Sequence, residues 1–183
     1  MVSVNKNSFD IGGVCFDIYS DASVFGDGTH ETTQNLLKYL QQQELEGRDI
    51  IDLGTGTGIL SVYAAKRGAK SVLAVDISGT ALEWARKNFK RNDVQVEIEI
   101  NDVLQYIDRK ADVIVSNLPP AEQSQALYTA KNNLTEDGLF IISWLKQLEL
   151  ERFTRDFDVA DHVEGEVYDA YVLKRKKEAK KAQ

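Results

Sequence analysis

Ile50-Ile51-Asp52-Leu53-Gly54-Thr55-Gly56-Thr57-Gly58-Ile59-Leu60 is the stretch that decides the fold. Its first four residues read as a short apolar strand, and three alternating glycines follow. Glycine takes positive φ without steric cost and lets a ligand approach the backbone closely. From Ile59 to Arg67 the residues Leu60, Tyr63 and Ala64 recur at helical spacing, and Gly68 stops the helix. A helix opening on the loop turns its free N–H groups and the positive end of its dipole into it, which favours a carboxylate or phosphate there. The plainer alternative is a tight turn that only packs strand on helix. Three alternating glycines exceed what such packing requires.

The pattern continues on both sides. Downstream, Ser71 to Val75 reads as a buried strand ending at Asp76, and Ser78 or Thr80 opens a helix to about Arg91. Strands follow over Val94 to Ile100, ending at Asn101-Asp102, and over Asp112 to Ser116, ending at Asn117-Leu118-Pro119-Pro120. Gln123 to Leu134 predicts a helix, Gly138 to Trp144 a strand and Leu148 to Arg155 a helix. Val159 to Val163 and Ala170 to Arg175 close the chain as a strand pair. Upstream, Phe9 and Ile11, Gly12-Gly13, then Val14, Phe16 and Ile18 predict a small hairpin. Thr32 to Gln43 predicts a helix capped by Thr32, with Leu36, Leu37 and Leu40 on one face. Trp84 and Trp144 fall within these patterns and read as packing residues.

The alternation predicts an α/β fold: a doubly wound, mostly parallel, Rossmann-like seven-stranded sheet with an antiparallel terminal strand, preceded by the hairpin. Ligands of such sheets bind at the carboxyl ends of the strands. Asp52, Asp76, Asp102 and Asn117 all fall there.

The 183 residues read as one domain, with the hairpin and a wall segment in residues 1–30 and a frayed basic tail in 176–183. The polar start lacks a signal-peptide pattern, and no run reaches the roughly 18 apolar residues of a membrane span. Cys15 is the only cysteine, so a reducing cytoplasm is the natural setting. With only His30 and His162 as histidines, no metal site is expected. The net charge of −7 disfavours a large nucleic-acid face. The exception is Lys174-Arg175-Lys176-Lys177 with Lys180-Lys181, either a solvated tail or a weak contact with RNA.

The glycine spacing narrows the ligand. A dinucleotide fingerprint needs glycine three residues after Gly56, where Ile59 stands, and the Gly-Lys-Ser/Thr of a phosphate loop is missing. Asp76, at the end of the next strand, can accept both hydroxyls of a ribose; its other reading is a helix cap before Ser78. Together these residues resemble the class I S-adenosylmethionine-dependent methyltransferases, over about Phe25 to Lys174. The resemblance implies that Gly54 and Gly56 border the amino-acid part of S-adenosylmethionine, with Asp52 and Thr55 in the same loop. It implies that Asp76 and Ile77 hold the ribose, and that Asp102 and Val103 meet the adenine.

Phe25-Gly26-Asp27-Gly28-Thr29-His30-Glu31-Thr32-Thr33 is further similar to the F-G-T-G-x-H-x-T-T segment of the PrmA-type ribosomal protein lysine methyltransferases. That segment implies a cofactor wall including Thr29. Two departures stand out. The chain leaves no room for that family's separate N-terminal recognition domain, so a partner protein supplying recognition is an open expectation. It also carries N-L-P-P where N-I-L-A is expected.

Asn117-Leu118-Pro119-Pro120 resembles, with one insertion, the N-P-P-Y signature of enzymes that methylate nitrogen. Asn117, Leu118 and Pro119 are the candidate catalytic residues, and Asn117 also borders the cofactor. The Asn117 amide oxygen and the Leu118 carbonyl can accept N–H bonds from a target nitrogen, while the prolines stiffen the loop. The alternative is a strand-terminating turn. His30 is a candidate proton shuttle or a structural cap, and Tyr19 a candidate stacking residue. The expected activity is N-methylation of a protein side chain, ribosomal in character. An RNA base or a small molecule as acceptor, and a non-catalytic cofactor-binding subunit, remain the alternatives.

Overall fold

The computed structural model describes residues 3–100 and 107–177. Asn5–Ile11 (β1) and Val14–Ser20 (β2) form the hairpin, turning at Gly12 and Gly13, which both have positive φ. Then follow Glu31–Gln42 (α1), Asp49–Leu53 (β3), Ile59–Lys66 (α2), Ser71–Asp76 (β4), Gly79–Arg91 (α3) and Glu97–Ile100 (β5). Ala111–Ser116 (β6), Pro120–Asn133 (α4), Leu134–Leu145 (β7), Glu151–Thr154 (α5), Phe157–Val163 (β8) and Tyr168–Arg175 (β9) complete the described elements.

The main sheet has seven strands in the order β5-β4-β3-β6-β7-β9-β8. The first five are parallel, and β9 runs antiparallel between β7 and β8. Both faces are covered, because neighbouring residues of a strand point to opposite sides. Ile50 belongs to the core beneath α1, α2 and the hairpin, with Leu36, Leu40, Val62 and Phe16. Ile51 belongs to the core beneath α4 and α5, with Ile114, Phe140, Trp144 and Phe153. Trp84 and Trp144 are both buried, as expected of packing residues.

Strands β7, β8 and β9 begin earlier than the sequence reading, at Leu134, Phe157 and Tyr168, and four other boundaries differ for a local reason. α1 is capped by His30 rather than Thr32: His30 Nδ1 accepts the Thr32 N–H at 3.3 Å, which moves the start one residue upstream. α4 begins at Pro120, where a fixed φ suits the first turn and no N–H is lost from the ladder. β5 covers only Glu97–Ile100 and not the stretch from Val94, because α3 ends in a turn through Asp93 at positive φ. α5 is a single turn, since Phe157 must already pair with Arg175 to open β8.

The hairpin is fastened to α3 by two asparagines. Asn92 Nδ2 donates to the Asp17 carbonyl at 2.7 Å and Asn92 Oδ1 accepts the Asp17 N–H at 3.0 Å. Asn88, fully buried, accepts the Tyr19 N–H at 2.9 Å and donates to the carbonyls of Tyr19 and Thr57, each at 2.9 Å. One side chain thus joins the hairpin, α3 and the glycine loop.

Candidate functional site

The glycine loop joins β3 to α2, and Gly54, Gly56 and Gly58 all sit at positive φ. A Cβ on Gly54 would overlap the Leu118 side chain, and one on Gly56 would overlap the Phe25 carbonyl. Absent side chains therefore let three segments close on one another. Gly54 and Thr55 donate their N–H groups to the Val75 carbonyl at 2.9 and 3.0 Å, tying the loop to the end of β4. Thr57 N–H donates to the Phe25 carbonyl at 3.1 Å and the Thr57 hydroxyl to that of Gly26, tying it to the segment before α1.

Asp52 lies beneath this loop, fully buried. Its Oδ2 accepts the hydroxyls of Thr55 at 2.8 Å and Ser61 at 2.7 Å, while Oδ1 has no partner among the described residues. Burial pushes its carboxyl up to about 6, and the nearby Asp76 charge adds to this against the two hydroxyl bonds. Asp76 Oδ2 accepts the Gly56 N–H at 2.9 Å, and Oδ1 accepts the Ser78 N–H at 2.9 Å. A carboxylate has about four acceptor positions, so Asp76 keeps capacity for further donors.

Asn117 ends β6. Its amide nitrogen donates to the Thr33 hydroxyl of α1 at 3.2 Å, and its amide oxygen accepts the Ser143 hydroxyl of β7 at 2.8 Å. The Leu118 carbonyl accepts a long bond, 3.3 Å, from Gln123 Nε2. Both acceptors proposed for a target nitrogen therefore hold one donor already and offer one further lone pair each.

Above these residues opens a cavity of about 750 Å³ at the carboxyl ends of the parallel strands. Of the residues singled out from the sequence, Gly54, Gly56, Asp76, Ile77, Asn117, Leu118 and Pro119 line it. Asp52 and Thr55 are not in the lining; they support the loop from below. Thr29 is not brought to the cavity either. Its N–H and hydroxyl both donate to Asp27 Oδ1, at 2.9 and 2.8 Å, which closes a local turn. Asp102 and Val103 lie outside the described residues. Tyr19 is occupied elsewhere, with Arg91 4.1 Å above its ring centroid. His30 lines the cavity as a cap, its ring edge-on to Phe25 at 5.6 Å and to Tyr168 at 6.2 Å. Glu122 and Tyr168 also line it and were not read from the sequence. Tyr168 arrives on the antiparallel β9, and its backbone N–H, with those of Glu166 and Val167, is gathered by the Glu31 carboxylate.

The family model described as ribosomal protein L11 methyltransferase (PrmA) matches residues 21–174. The chain belongs to that family. Membership places it among the class I S-adenosylmethionine-dependent methyltransferases. A ribosomal protein L11 methyltransferase of Thermosipho africanus is 37% identical over 150 residues, covering 82% of this chain and 57% of the relative. One from Dictyoglomus turgidum is 40% identical over 127 residues, covering 69% and 42%. The chain thus spans about half the length of these PrmA relatives. Among solved structures, the ribosomal protein L11 methylase of Lactobacillus delbrueckii subsp. bulgaricus superposes with a TM-score of 0.76 at 29% identity, covering 84% of this chain and 82% of that one. A T. thermophilus 16S rRNA methyltransferase in complex with AdoMet and guanosine gives 0.82 at 21% identity, covering 94% and 51%, and shares the fold.

The site of this PrmA-family chain fits S-adenosylmethionine on its own terms. The cavity volume lies within the roughly 300–1,000 Å³ of small-ligand sites. Gly54 and Gly56 offer bare backbone in its lining, and Asp76 keeps free acceptor positions beside them.

Proposed function

We propose that this chain transfers a methyl group from S-adenosylmethionine to a nitrogen of a protein side chain, with residues 21–174 acting as one methyltransferase unit. A single contact carries the reading. The Leu118 side chain occupies the space left by the missing Cβ of Gly54, so the loop suited to the cofactor and the loop suited to the acceptor meet in one cavity. S-adenosylmethionine supplies an activated methyl group on sulfonium sulfur, and the protein's work is chiefly orientation. Orientation of this kind is worth on the order of 7–11 kcal/mol.

The residues divide that work. Gly54 and Gly56 present backbone to the amino-acid end of the cofactor, and the free positions of Asp76 accept ribose hydroxyls. Asn117, clamped between α1 and β7, and the Leu118 carbonyl each direct a remaining lone pair at an acceptor N–H. Pro119 and Pro120 hold the loop stiff. An amine of lysine type must first shed a proton, which costs about 4–5 kcal/mol at neutral pH.

The names of the relatives support a ribosomal protein as substrate. A cytoplasmic setting agrees with that substrate, and a partner protein is a candidate for supplying recognition. Incubation with methyl-labelled S-adenosylmethionine and cell extract tests the reading, with label expected in a species destroyed by protease and spared by ribonuclease. Label lost only to ribonuclease would favour an RNA acceptor; tight cofactor binding with no transfer would leave a cofactor-binding subunit. Asn117→Ala is expected to lower turnover at least tenfold while cofactor affinity changes less than twofold, roughly the loss of one well-placed hydrogen bond.

A further inference from the structure

The cavity holds a carboxylate to which methyl transfer, as described, gives no task. Glu122 stands in the first turn of α4, three residues beyond Pro119, and lines the cavity. Its Oε2 is buried and has no hydrogen-bond partner among the described residues. A negative side chain complements the dipole at a helix start, but that supplies Oε2 with no donor. A buried carboxylate oxygen without a partner is costly, and a cation brought in from outside removes the cost.

Strand order separates this acid from the other one in the lining. Asp76 ends β4, on one side of β3, whereas the Asn117 loop and the start of α4 with Glu122 follow β6, on the other side. Tyr168, at the start of β9, lies on that second side as well. There the rings of Phe25, His30 and Tyr168 meet edge to face, and Phe25 is 55% exposed. The lining includes no lysine or arginine among the described residues. An acid, aromatic faces and no competing cation form a chemical environment that attracts a positively charged group.

We infer that Glu122 is the anchor for a cationic acceptor amine, of the primary alkylammonium type, which enters along Phe25 and Tyr168. The inference rests on the methyl-transfer reading above and selects among the nitrogen acceptors that reading admits. The ammonium is captured as a cation and loses one proton to solvent through the open mouth. The amine lone pair then forms the N–C bond as the C–S bond breaks with its electron pair left on sulfur. Positive charge thereby moves from sulfur to nitrogen. A carboxylate beside that nitrogen interacts more strongly as the charge arrives. A neutral amide or base nitrogen can give Glu122 a hydrogen bond but no ion pair, so the same residue favours amines.

The test compares wild type with Glu122→Gln, using N-acetyl-lysine methylamide as probe and its neutral counterpart N-acetyl-norleucine methylamide as control. Binding of each is followed by nuclear magnetic resonance titration in the presence of saturating S-adenosylhomocysteine. Wild type is expected to prefer the lysine probe about tenfold, and E122Q to lose that preference, with an unchanged melting temperature and unchanged S-adenosylhomocysteine affinity. An E122Q protein that keeps the preference overturns the role of Glu122. A wild type that binds S-adenosylhomocysteine but does not distinguish the probes overturns the amine class and leaves methyl transfer standing. Failure to bind S-adenosylhomocysteine at all overturns the methyl-transfer reading itself, and this inference with it. Tyr168→Ala gives an independent check, with weaker lysine-probe binding expected in a protein whose carboxylate is intact.

Discussion

Asp52 makes stability depend on pH in a direction opposite to that of Asp17, Asp21, Glu31 and Asp49. Its carboxyl is held at about 6 in the fold against an ordinary 3.8, chiefly because it is buried. The folded state therefore binds the proton more tightly than the unfolded chain. The associated stability is fully present below about 3.8 and is lost as pH rises through about 6. At about 1.4 kcal/mol per tenfold in proton affinity, the whole effect is on the order of 3 kcal/mol. About 2 kcal/mol of it falls between roughly pH 4.5 and 7.5. Other groups titrate too: Asp17, Asp21, Glu31 and Asp49 are lowered by hydrogen bonds and contribute the opposite slope at low pH. The difference between wild type and Asp52→Asn cancels them. Asparagine keeps an acceptor for Thr55 and Ser61 but turns an unpaired NH₂ toward the space of Oδ1, a pH-independent offset of about 1–3 kcal/mol. Urea unfolding of both proteins across that range is expected to show wild type losing about 2 kcal/mol relative to the variant as pH rises. A flat difference would show that Asp52 stays ionised throughout, and the account of its burial would be wrong.

Three further perturbations follow from the loop. Gly54→Ala places a Cβ at a φ of +76° against Leu118, so cofactor affinity is expected to fall at least tenfold. The double variant with Leu118→Ala relieves the overlap and should recover part of the loss, whereas undiminished cofactor binding in the single variant would mean that the loop adjusts freely. Asp76→Ala removes the ribose acceptor together with the bonds from Gly56 and Ser78; a charge-assisted bond of about 1.5–3 kcal/mol corresponds to a ten- to hundredfold weaker affinity by calorimetry, and an unchanged value would refute the role. Asn88→Ala strands backbone groups of Tyr19 and Thr57, and a loss of about 3 kcal/mol is expected in urea unfolding. A loss under about 1 kcal/mol would show that water replaces the amide.

The parts of the fold that were legible in the sequence are those fixed by neighbouring residues. The β3–loop–α2 unit, the Gly12-Gly13 turn and the acid or amide at each strand end all rest on local patterns. Side-chain direction is not local. Whether Asp52 faces a ligand or the core depends on Thr55 and Ser61, which reach it only once α2 has formed. The resemblance implies a wall role for Thr29, whereas Asp27-Gly28-Thr29 carries its own turn chemistry. Glu122 and Tyr168 had no signal at all. The first is placed by the start of α4 at Pro120, the second by a strand antiparallel to its neighbours and a turn gathered by Glu31. Asn88 carries no local signal, because its partners stand 69 and 31 positions away.

That asparagine has a consequence for the order in which the fold is completed. The loop at Thr57 and the hairpin at Tyr19 precede α3 in the chain, yet both take their final bonds from it. During synthesis the glycine loop leaves the ribosome well before Asn88 does. Until Asn88 emerges, the Thr57 carbonyl and the Tyr19 backbone lack the partners they have in the finished fold. The bonds that hold the loop at Thr57 and the hairpin at Tyr19 are thus completed together, by one side chain, when α3 docks. The hairpin, which lies outside the seven-stranded sheet, is thus part of the machinery that sets the loop.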